Sequence, residues 1–291
     1  MDQPEASAFN RLAPGVFVLL WSTGFIGAKF GLPDAEPLTF LLWRFLIVCT
    51  LLGVMAVGLG RPWPSSGVQV MHIASAGVML HGGYLGGVFS AMHSGMPAGL
   101  VALIVGMQPL LTASLGGRLL GERVGPRQWA GLVLGFAGVA LVLSGKLAVV
   151  GLSAQGLSLA VLALLSITMG TLYQKRYCGQ MDLWTGSFVQ FAASGLVCLP
   201  LALTFETMAV NWSVRFVFAL GWLVLVLSLG AISLLHQLIR RGAATRVSAL
   251  FYLTPPATAL LAWGVFGETL DAPAMVGMAL AAFGVAMALK R

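Results

Sequence analysis

The chain has 291 residues, of which 58% are hydrophobic and only 9% are charged. Ordinary soluble domains carry about 25% charged residues, so this composition excludes a soluble globular protein and predicts one embedded in a lipid bilayer. The net charge of +7 comes without a basic run interleaved with aromatic residues, so we expect no nucleic-acid partner. The three cysteines are scattered without the spacing of metal ligands, and we expect neither a metal nor a cofactor.

Apolar stretches long enough to cross the hydrocarbon core, which needs about 20 residues, recur along the whole chain. They lie near 13–31, 37–59, 68–90, 96–117, 127–145, 156–176, 183–204, 214–236, 245–266 and 272–289. Turn and charge signals such as GRPWPSSG and KRYCGQMD separate them. The sequence therefore predicts an all-α membrane protein with ten transmembrane helices.

The basic residues give this topology an orientation. Of the 16 Lys and Arg residues, twelve fall on one side of the ten predicted spans and three on the other (Lys29, Lys146 and Arg215), while Arg44 lies inside the second span. Loops rich in Lys and Arg stay in the cytoplasm. Both termini are therefore predicted to be cytoplasmic, in a multi-pass protein of the cytoplasmic (inner) membrane.

A shift of 146 residues aligns the chain with itself. The segment PLLTASLGGRLLGERV then lies over PPATALLAWGVFGETL, and the shift pairs Pro109 with Pro255 and Lys29 with Lys175. Each copy would hold five spans, an odd number, so the second copy must cross the membrane in the opposite sense. The sequence predicts inverted five-helix repeats over residues 1–146 and 147–291, a design typical of secondary transporters.

Several motifs carry a family resemblance. They are WSTGFIGAKF in the first span, LLWRF in the second, and the paired motifs Gly121–Glu122 and Gly267–Glu268, each followed by a glycine-rich span. The chain resembles the ten-helix EamA-type members of the drug/metabolite transporter superfamily, and within them it is most similar to YddG-type aromatic amino-acid exporters. The resemblance implies a central cavity and export of amino acids or other metabolites. One departure is Gln190, which stands where the first repeat has Arg44.

Polar and aromatic side chains at membrane depth are the candidates for substrate binding, because burying a polar group in hydrocarbon is costly without a use. His81 and Tyr84 share one helical face in LHGGYLGG, and Trp21 lies too deep to be an interface anchor. Ordinary packing is the alternative for His81 and for Trp21. Further candidates are Gln108, Thr171, Gln174, Phe251 and Tyr252.

Three cations are candidates for binding a substrate carboxylate or for gating. Lys29 and Lys175 lie near opposite membrane faces, where extension of the side chain to lipid headgroups is the alternative. Arg44 lies about two turns inside its helix, where pairing with backbone carbonyls is the alternative.

Prolines are expected to kink two of the predicted helices. Pro109 lies in the fourth span, and Pro255 and Pro256 lie in the ninth. Proline frees backbone carbonyls, which membrane proteins tolerate where the carbonyls line a cavity. Glu122 and Glu268 are expected to be structural, capping or pairing with nearby groups.

Every acidic residue maps to a loop or a span end, and His81 is the only titratable side chain that the predicted spans place deep in the membrane and that could change charge near neutral pH. We therefore expect a secondary transporter that exports small metabolites, above all aromatic and hydrophobic amino acids. It would work by alternating access, uncoupled or weakly linked to protons. Its partners would be a small-molecule substrate and the bilayer, and a monomer would suffice.

Alternative substrates and alternative functions each require different features of the sequence. Drugs, nucleobases and other metabolites would also suit an aromatic cavity, and a channel-like or accessory subunit would lack saturable transport. A membrane enzyme acting on lipid or prenyl substrates would need clustered acidic or histidine residues, such as a DxxD run, and the sequence has none. We expect no enzymatic activity.

Overall fold

The computed structural model describes residues 4–96, 98–144, 153–266 and 271–290, and the fold of these residues is helical throughout. The first seven α-helices are α1 (Pro4–Gly31), α2 (Pro37–Gly58), α3 (Gly67–Gly77), α4 (Tyr84–His93), α5 (Ala98–Val105), α6 (Gln108–Leu120) and α7 (Pro126–Ser144). The next seven are α8 (Ala154–Tyr177), α9 (Leu183–Phe205), α10 (Val214–Trp222), α11 (Ile232–Arg241), α12 (Ala244–Ala249), α13 (Thr254–Phe266) and α14 (Ala272–Leu289). π-Helical segments join α3 to α4 (Val78–Gly83) and α10 to α11 (Leu223–Ala231), and the 3₁₀ turn Leu250–Leu253 joins α12 to α13.

Within the described residues, eight helical segments are long and apolar enough to cross a membrane. They are Leu12–Gly31, Pro37–Gly58, Leu100–Leu120, Pro126–Ser144, Ala154–Tyr177, Leu183–Phe205, Val214–Arg241 and Ala272–Leu289. The chain is therefore a multi-pass helical membrane protein, as predicted. The other two predicted spans, near 68–90 and 245–266, are helical but are not among these eight, and the total of ten stays a prediction.

Local sequence explains where many of the helices begin. Ser66 and Ser213 precede α3 and α10, and the hydroxyl of each accepts a hydrogen bond from a backbone N–H in the first turn. Pro37 starts α2 at a position where a helix has no use for an N–H. These starts recur at a constant spacing, because α9, α12, α13 and α14 begin 146 residues after α2, α5, α6 and α7.

Helices α7 and α14 pack with their backbones in close contact through pairs of glycines. A Cβ added at Gly131 would lie 2.6 Å from the carbonyl oxygen of Gly284, and one at Gly138 would lie 2.7 Å from that of Gly277. No real side chain fits at such distances. Small residues of this kind allow membrane helices to approach closely.

Large side chains separate into a buried core and an exposed apolar surface. Phe45 and Phe191 are buried on the facing helices α2 and α9, with ring centroids 5.6 Å apart. On the outside, Leu196, Phe205 and Val214 are 73%, 76% and 88% exposed. Apolar residues exposed to this degree suit a surface that contacts lipid.

Candidate functional site

A cavity lies between helices of the first and second halves of the chain. Its free volume is about 50 Å³, enough for a few water molecules. Most of the wall is apolar or aromatic, and the strongly polar groups are one arginine and two histidines. The lining residues are Trp21, Gly24, Ala28, Arg44, Leu80, His81, Tyr84, Leu85, Val88, Phe89, Ile167, Leu223, Leu227, Ile232, Leu235 and His236.

Aromatic side chains form one wall of this cavity. Trp21 is 8% exposed, and its ring is nearly parallel to that of Tyr84, with centroids 6.5 Å apart. Behind it, Phe17 and Phe251 pack against the indole with centroids 5.2 Å away in each case. The structure thus brings three of the predicted site residues together, and Trp21 contributes both to packing and to the cavity wall.

His81 lies on the π-helical segment between α3 and α4. Its ring stacks on Phe191 at a centroid distance of 4.2 Å, and the residue is 2% exposed. Within the described residues, neither ring nitrogen has a hydrogen-bond partner. Buried polar atoms normally have one, and π-helical segments are frequent at functional sites. His81 therefore has hydrogen-bonding capacity available for a bound molecule.

Arg44 brings a permanent charge to the cavity from α2. The residue is 3% exposed, and its Nε donates to the Ser228 hydroxyl at 2.9 Å. Ser228 belongs to the second π-helical segment and in turn donates to the carbonyl of Leu223. In the described part of the chain, the Arg44 Nη groups donate to no acceptor, and no Asp or Glu lines the cavity.

His236 is a cavity residue that the sequence analysis missed. It is 2% exposed, its Nδ1 lies 3.5 Å from the Ser187 hydroxyl, and its Nε2 has no partner among the described residues. The prediction that His81 was the only such titratable group deep in a span was wrong. The sequence analysis ended the eighth predicted span at residue 236, whereas α11 continues to Arg241. The spacing of His236 from Ile232 and Ile239 marks the buried face of α11 and could have revealed it.

Three predicted polar residues do not line this cavity. Gln108 donates through Nε2 to the Thr171 hydroxyl at 3.2 Å, and Gln174 accepts through Oε1 from Gln190 Nε2 at 2.7 Å. All are buried. Gln190, the counterpart of Arg44 at the spacing of 146 residues, thus sits in a buried amide pair. These contacts link α6 to α8 and α8 to α9.

Tyr252 also lies away from the cavity. The 3₁₀ turn Leu250–Leu253 directs Phe251 toward Trp21 and Tyr252 toward α7. There the phenol ring covers Gly135, where an added Cβ would lie 2.6 Å from a ring carbon. Its hydroxyl has no partner among the described residues. Adjacent residues of a helical turn face different directions, so the prediction that both side chains reach one cavity was wrong for Tyr252.

The predicted kink prolines stand just after interruptions of the helical pattern. Residues 106–107 break the helix between α5 and α6, and Pro109 occupies the first turn of α6. Pro255 and Pro256 occupy the first turn of α13, directly after the 3₁₀ turn. Proline is well accommodated in a first turn, where its missing N–H is not needed.

Comparison with known proteins identifies the family. The model of the EamA-like transporter family matches twice, over residues 16–144 and 154–290. The chain belongs to the EamA-like transporter family. The resemblance read from the sequence is thereby confirmed at the level of the family.

Two curated relatives of this EamA-like chain cover nearly its whole length. It is 26% identical over 286 residues to the "Uncharacterized inner membrane transporter YedA" of Escherichia coli strain K12, covering 96% of this chain and 92% of the relative. It is 25% identical over 278 residues to a "Probable amino-acid metabolite efflux pump" of Salmonella typhimurium, covering 92% and 90%. A solved crystal structure with 19% sequence identity superimposes with a TM-score of 0.78 over 95% of this chain and 96% of the other. That last likeness concerns the fold alone.

The two predicted lysines have different surroundings in this EamA-like fold. Lys175 donates through Nζ to the carbonyls of Ile239 and Gly242, both at 2.7 Å, and to that of Arg240 at 3.2 Å. It therefore caps the carbonyl end of α11, where a cation is favoured. Lys29 is exposed near the end of α1. Neither lysine lines the central cavity.

Glu122 is a helix cap. Its carboxylate accepts hydrogen bonds from the backbone N–H groups of Ala244 and Thr245 and from the Thr245 hydroxyl, at 2.6 to 3.1 Å. The prediction of a structural role for Glu122 is confirmed, and Glu268 lies outside the described residues. Within the described ranges, no group of three His, Cys, Asp or Glu side chains could hold a metal ion.

A polar latch joins the loop 32–36 to the loop 206–213 and to the first turn of α10 at one end of the molecule. Asp34 accepts hydrogen bonds from Asn211 Nδ2 at 2.9 Å, from the Ser213 hydroxyl at 3.0 Å and from Arg215 Nη2 at 2.8 Å. Burial raises the pKa of Asp34, but the hydrogen bonds and the charge of Arg215 outweigh it, so the pKa lies below its ordinary value. We call these four residues the Asp34 latch.

Proposed function

We propose that this protein exports small metabolites across the cytoplasmic membrane and that amino acids with aromatic or hydrophobic side chains are its main substrates. The observation that carries the proposal is the central cavity of an EamA-like transporter, with Trp21 and Tyr84 on one wall and Arg44 and His81 on others. Aromatic side chains bind planar apolar groups, and guanidinium binds carboxylates. The name of the Salmonella relative, an amino-acid metabolite efflux pump, supports export. The narrower resemblance to YddG-type exporters belongs to the same proposal.

The architecture we propose is ten transmembrane helices in two inverted repeats, residues 1–146 and 147–291. Helix starts that recur 146 residues apart support it, and so do the two separate matches of one family model. The glycine contacts between α7 and α14 obey the same relation, since adding 146 to Gly131 and Gly138 gives Gly277 and Gly284. A contact that maps onto itself in this way is what a two-fold axis between inverted halves requires.

The bias of basic residues supports cytoplasmic termini, by the positive-inside rule. The name of the Escherichia coli relative, an inner membrane transporter, supports the same membrane. With this orientation the Asp34 latch faces the outside, and Lys175 and Glu122 face the cytoplasm. A monomer suffices for this arrangement, because the two halves enclose the cavity without a second copy.

The size of the cavity and the contacts at the two ends of the molecule support alternating access as the mechanism. Free space of about 50 Å³ holds a few waters and is too small for an aromatic amino acid, so the helices must separate to admit one. The Asp34 latch ties the halves together on the outside. On the cytoplasmic side, Arg176 donates to the carbonyl of Leu119, and Glu122 accepts from the backbone N–H of Ala244, so both contacts join the two halves. Opening one set of contacts while the other holds would expose the cavity to one side at a time.

Coupling to an ion is absent or weak in this proposal. No carboxylate lines the cavity among the described residues, and carboxylates at mid-membrane are frequent proton carriers in pumps. His81 and His236 are the groups through which a weak proton link would act. Substrate would then leave the cell mainly down its own gradient.

A growth-protection screen tests the export proposal. Cells that produce the protein and cells with an empty vector are exposed to toxic analogues of phenylalanine, tyrosine, leucine and, for comparison, lysine. We expect the protein to raise the tolerated concentration of the aromatic and hydrophobic analogues and to leave the lysine analogue unchanged. The proposal would be contradicted if the cells tolerate no more of any analogue than cells with the empty vector do, although the protein is detected in the membrane.

A further inference from the structure

The charge balance of the central cavity defines its substrate more narrowly. Arg44 is the only Lys, Arg, Asp or Glu among the described residues that line it. Among the described residues its guanidinium makes one hydrogen bond, to the neutral hydroxyl of Ser228, at 2.9 Å. A buried cation without a counter-ion is costly, and a bound anion that accepts its hydrogen bonds would remove that cost.

The other polar groups of the cavity favour the same sign of charge. His81 and His236 line it with three ring nitrogens that have no partner among the described residues. A neutral imidazole can donate one hydrogen bond, and a protonated one can donate two. In both states the imidazole can donate a hydrogen bond to a carboxylate, whereas a protonated imidazole would repel the ammonium group of a ligand. No carboxylate that could pair with an ammonium faces these three residues in the described part of the chain.

On this ground, and resting on the proposed function, we propose that the cavity selects anions: it binds aromatic or hydrophobic monocarboxylates through Arg44, His81 and His236, and it disfavours an additional ammonium group. Trp21 and Tyr84 would hold the apolar part of the solute. An amino acid would bind through its carboxylate, and its ammonium group would weaken the binding. The inference therefore extends the substrates of the proposed function to organic acids that lack a free amine, such as deaminated or N-acylated amino acids, which the cavity would bind more tightly than the amino acids themselves.

The side of the molecule assigned above to the cytoplasm carries the same sign of charge. A surface depression at the ends of α6, α8 and α11 is lined by Arg118, Lys175 and Arg176. Its one carboxylate, Glu122, is already bound to the start of α12. A positive surface raises the local concentration of anions, so this side of the protein would attract the solutes that the cavity would bind.

A binding series on the purified full-length protein tests this inference. Phenylacetate, phenylalanine, phenethylamine and phenylacetamide have the same ring and differ in charge, and the fluorescence of Trp21 and the other tryptophans reports their binding at pH 7. We expect phenylacetate to bind about tenfold more tightly than phenylalanine, and phenethylamine to bind most weakly. Phenylacetate binding no tighter than phenylalanine or phenethylamine would overturn the inference.

Variants of Arg44 complete the test. We expect Arg44→Gln to bind phenylacetate and phenylacetamide equally and Arg44→Lys to keep a preference for the anion; an unchanged preference in Arg44→Gln would overturn the role of Arg44. If a variant of Arg44 fails to fold, the order of ligand affinities in the wild-type protein tests the inference by itself.

The outcomes also separate this inference from the proposed function. If phenylalanine is exported while phenylacetate binds no more tightly than phenethylamine, this inference fails and the proposed function stands. If phenylacetate binds best but no solute is transported, the inference stands and the proposed function fails.

Discussion

Arg44 lies in the wall of the cavity with one hydrogen bond to Ser228 and no acidic partner among the described residues. Single residues define the chemistry of this site because the rest of its wall is apolar. His81 stacks on Phe191, His236 lies near Ser187, and both keep free ring nitrogens. A solute held here would meet a permanent positive charge, two imidazoles and an aromatic surface.

Truncation of the aromatic wall is expected to impair transport. Trp21→Ala, like Tyr84→Ala, removes ring area that would contact the solute, and we expect efflux of a labelled aromatic amino acid to fall about tenfold. His81→Ala should also reduce it. Trp263→Ala is the matched control, because Trp263 is 56% exposed on the outside of α13, and we expect it to keep wild-type efflux. Unchanged efflux in all three cavity variants would remove the site proposal.

Much of this site could be predicted from the sequence, since Trp21, Arg44, His81 and Tyr84 are conspicuous by being polar or amphipathic at membrane depth. The rest depended on backbone details that composition does not encode. His236 was missed because the end of a span is read from hydropathy, and α11 extends one turn past the apolar stretch into its basic end. Tyr252 was placed at the cavity together with Phe251, although adjacent residues of a helical turn face different directions and here only Phe251 turns toward Trp21.

At the scale of elements, charged side chains at helix ends and in loops hold distant segments of the chain together. Glu122 caps α12 and Lys175 caps α11, so charges at helix ends join segments far apart in sequence. The prediction of a helical membrane protein followed from hydropathy alone. The π-helical segments did not, because a single extra residue in a turn leaves no mark on an apolar sequence. They carry His81 and Ser228 toward the cavity.

The Asp34 latch leads to a prediction about pH. Its hydrogen bonds hold the pKa of Asp34 below the ordinary value, so the latch adds stability that is complete above the unfolded pKa of about 3.9. That contribution is lost as the pH falls through the lower folded pKa. We expect Asp34→Asn to lower the midpoint of thermal unfolding at pH 7 and at pH 5 by the same amount.

The difference between wild type and Asp34→Asn should then shrink at pH 3 and below, because the wild-type carboxyl becomes protonated. Thermal unfolding in detergent, followed by circular dichroism across this range, measures it. A difference in unfolding midpoint that widens toward acid pH, or that is absent at pH 7, would show that the carboxylate does not stabilise the contact between the two loops.

At the scale of the whole molecule, an exposed apolar surface surrounds a core in which a small cavity carries a buried charge. The repeat of 146 residues, visible in the sequence, recurs in the helix starts and in the glycine contacts of α7 and α14. Membership of the EamA-like transporter family agrees with such an architecture. Together these features favour a carrier that moves solute through its centre.

Transport by the purified protein in liposomes tests that central claim most directly. Proteoliposomes are loaded with unlabelled phenylalanine or phenylacetate, and entry of the labelled compound is followed with and without an imposed pH gradient. The account predicts saturable exchange without any gradient, competition between the two compounds, and strong loss in Trp21→Ala. Entry no faster than in protein-free liposomes, or entry only when a pH gradient is imposed, would contradict it.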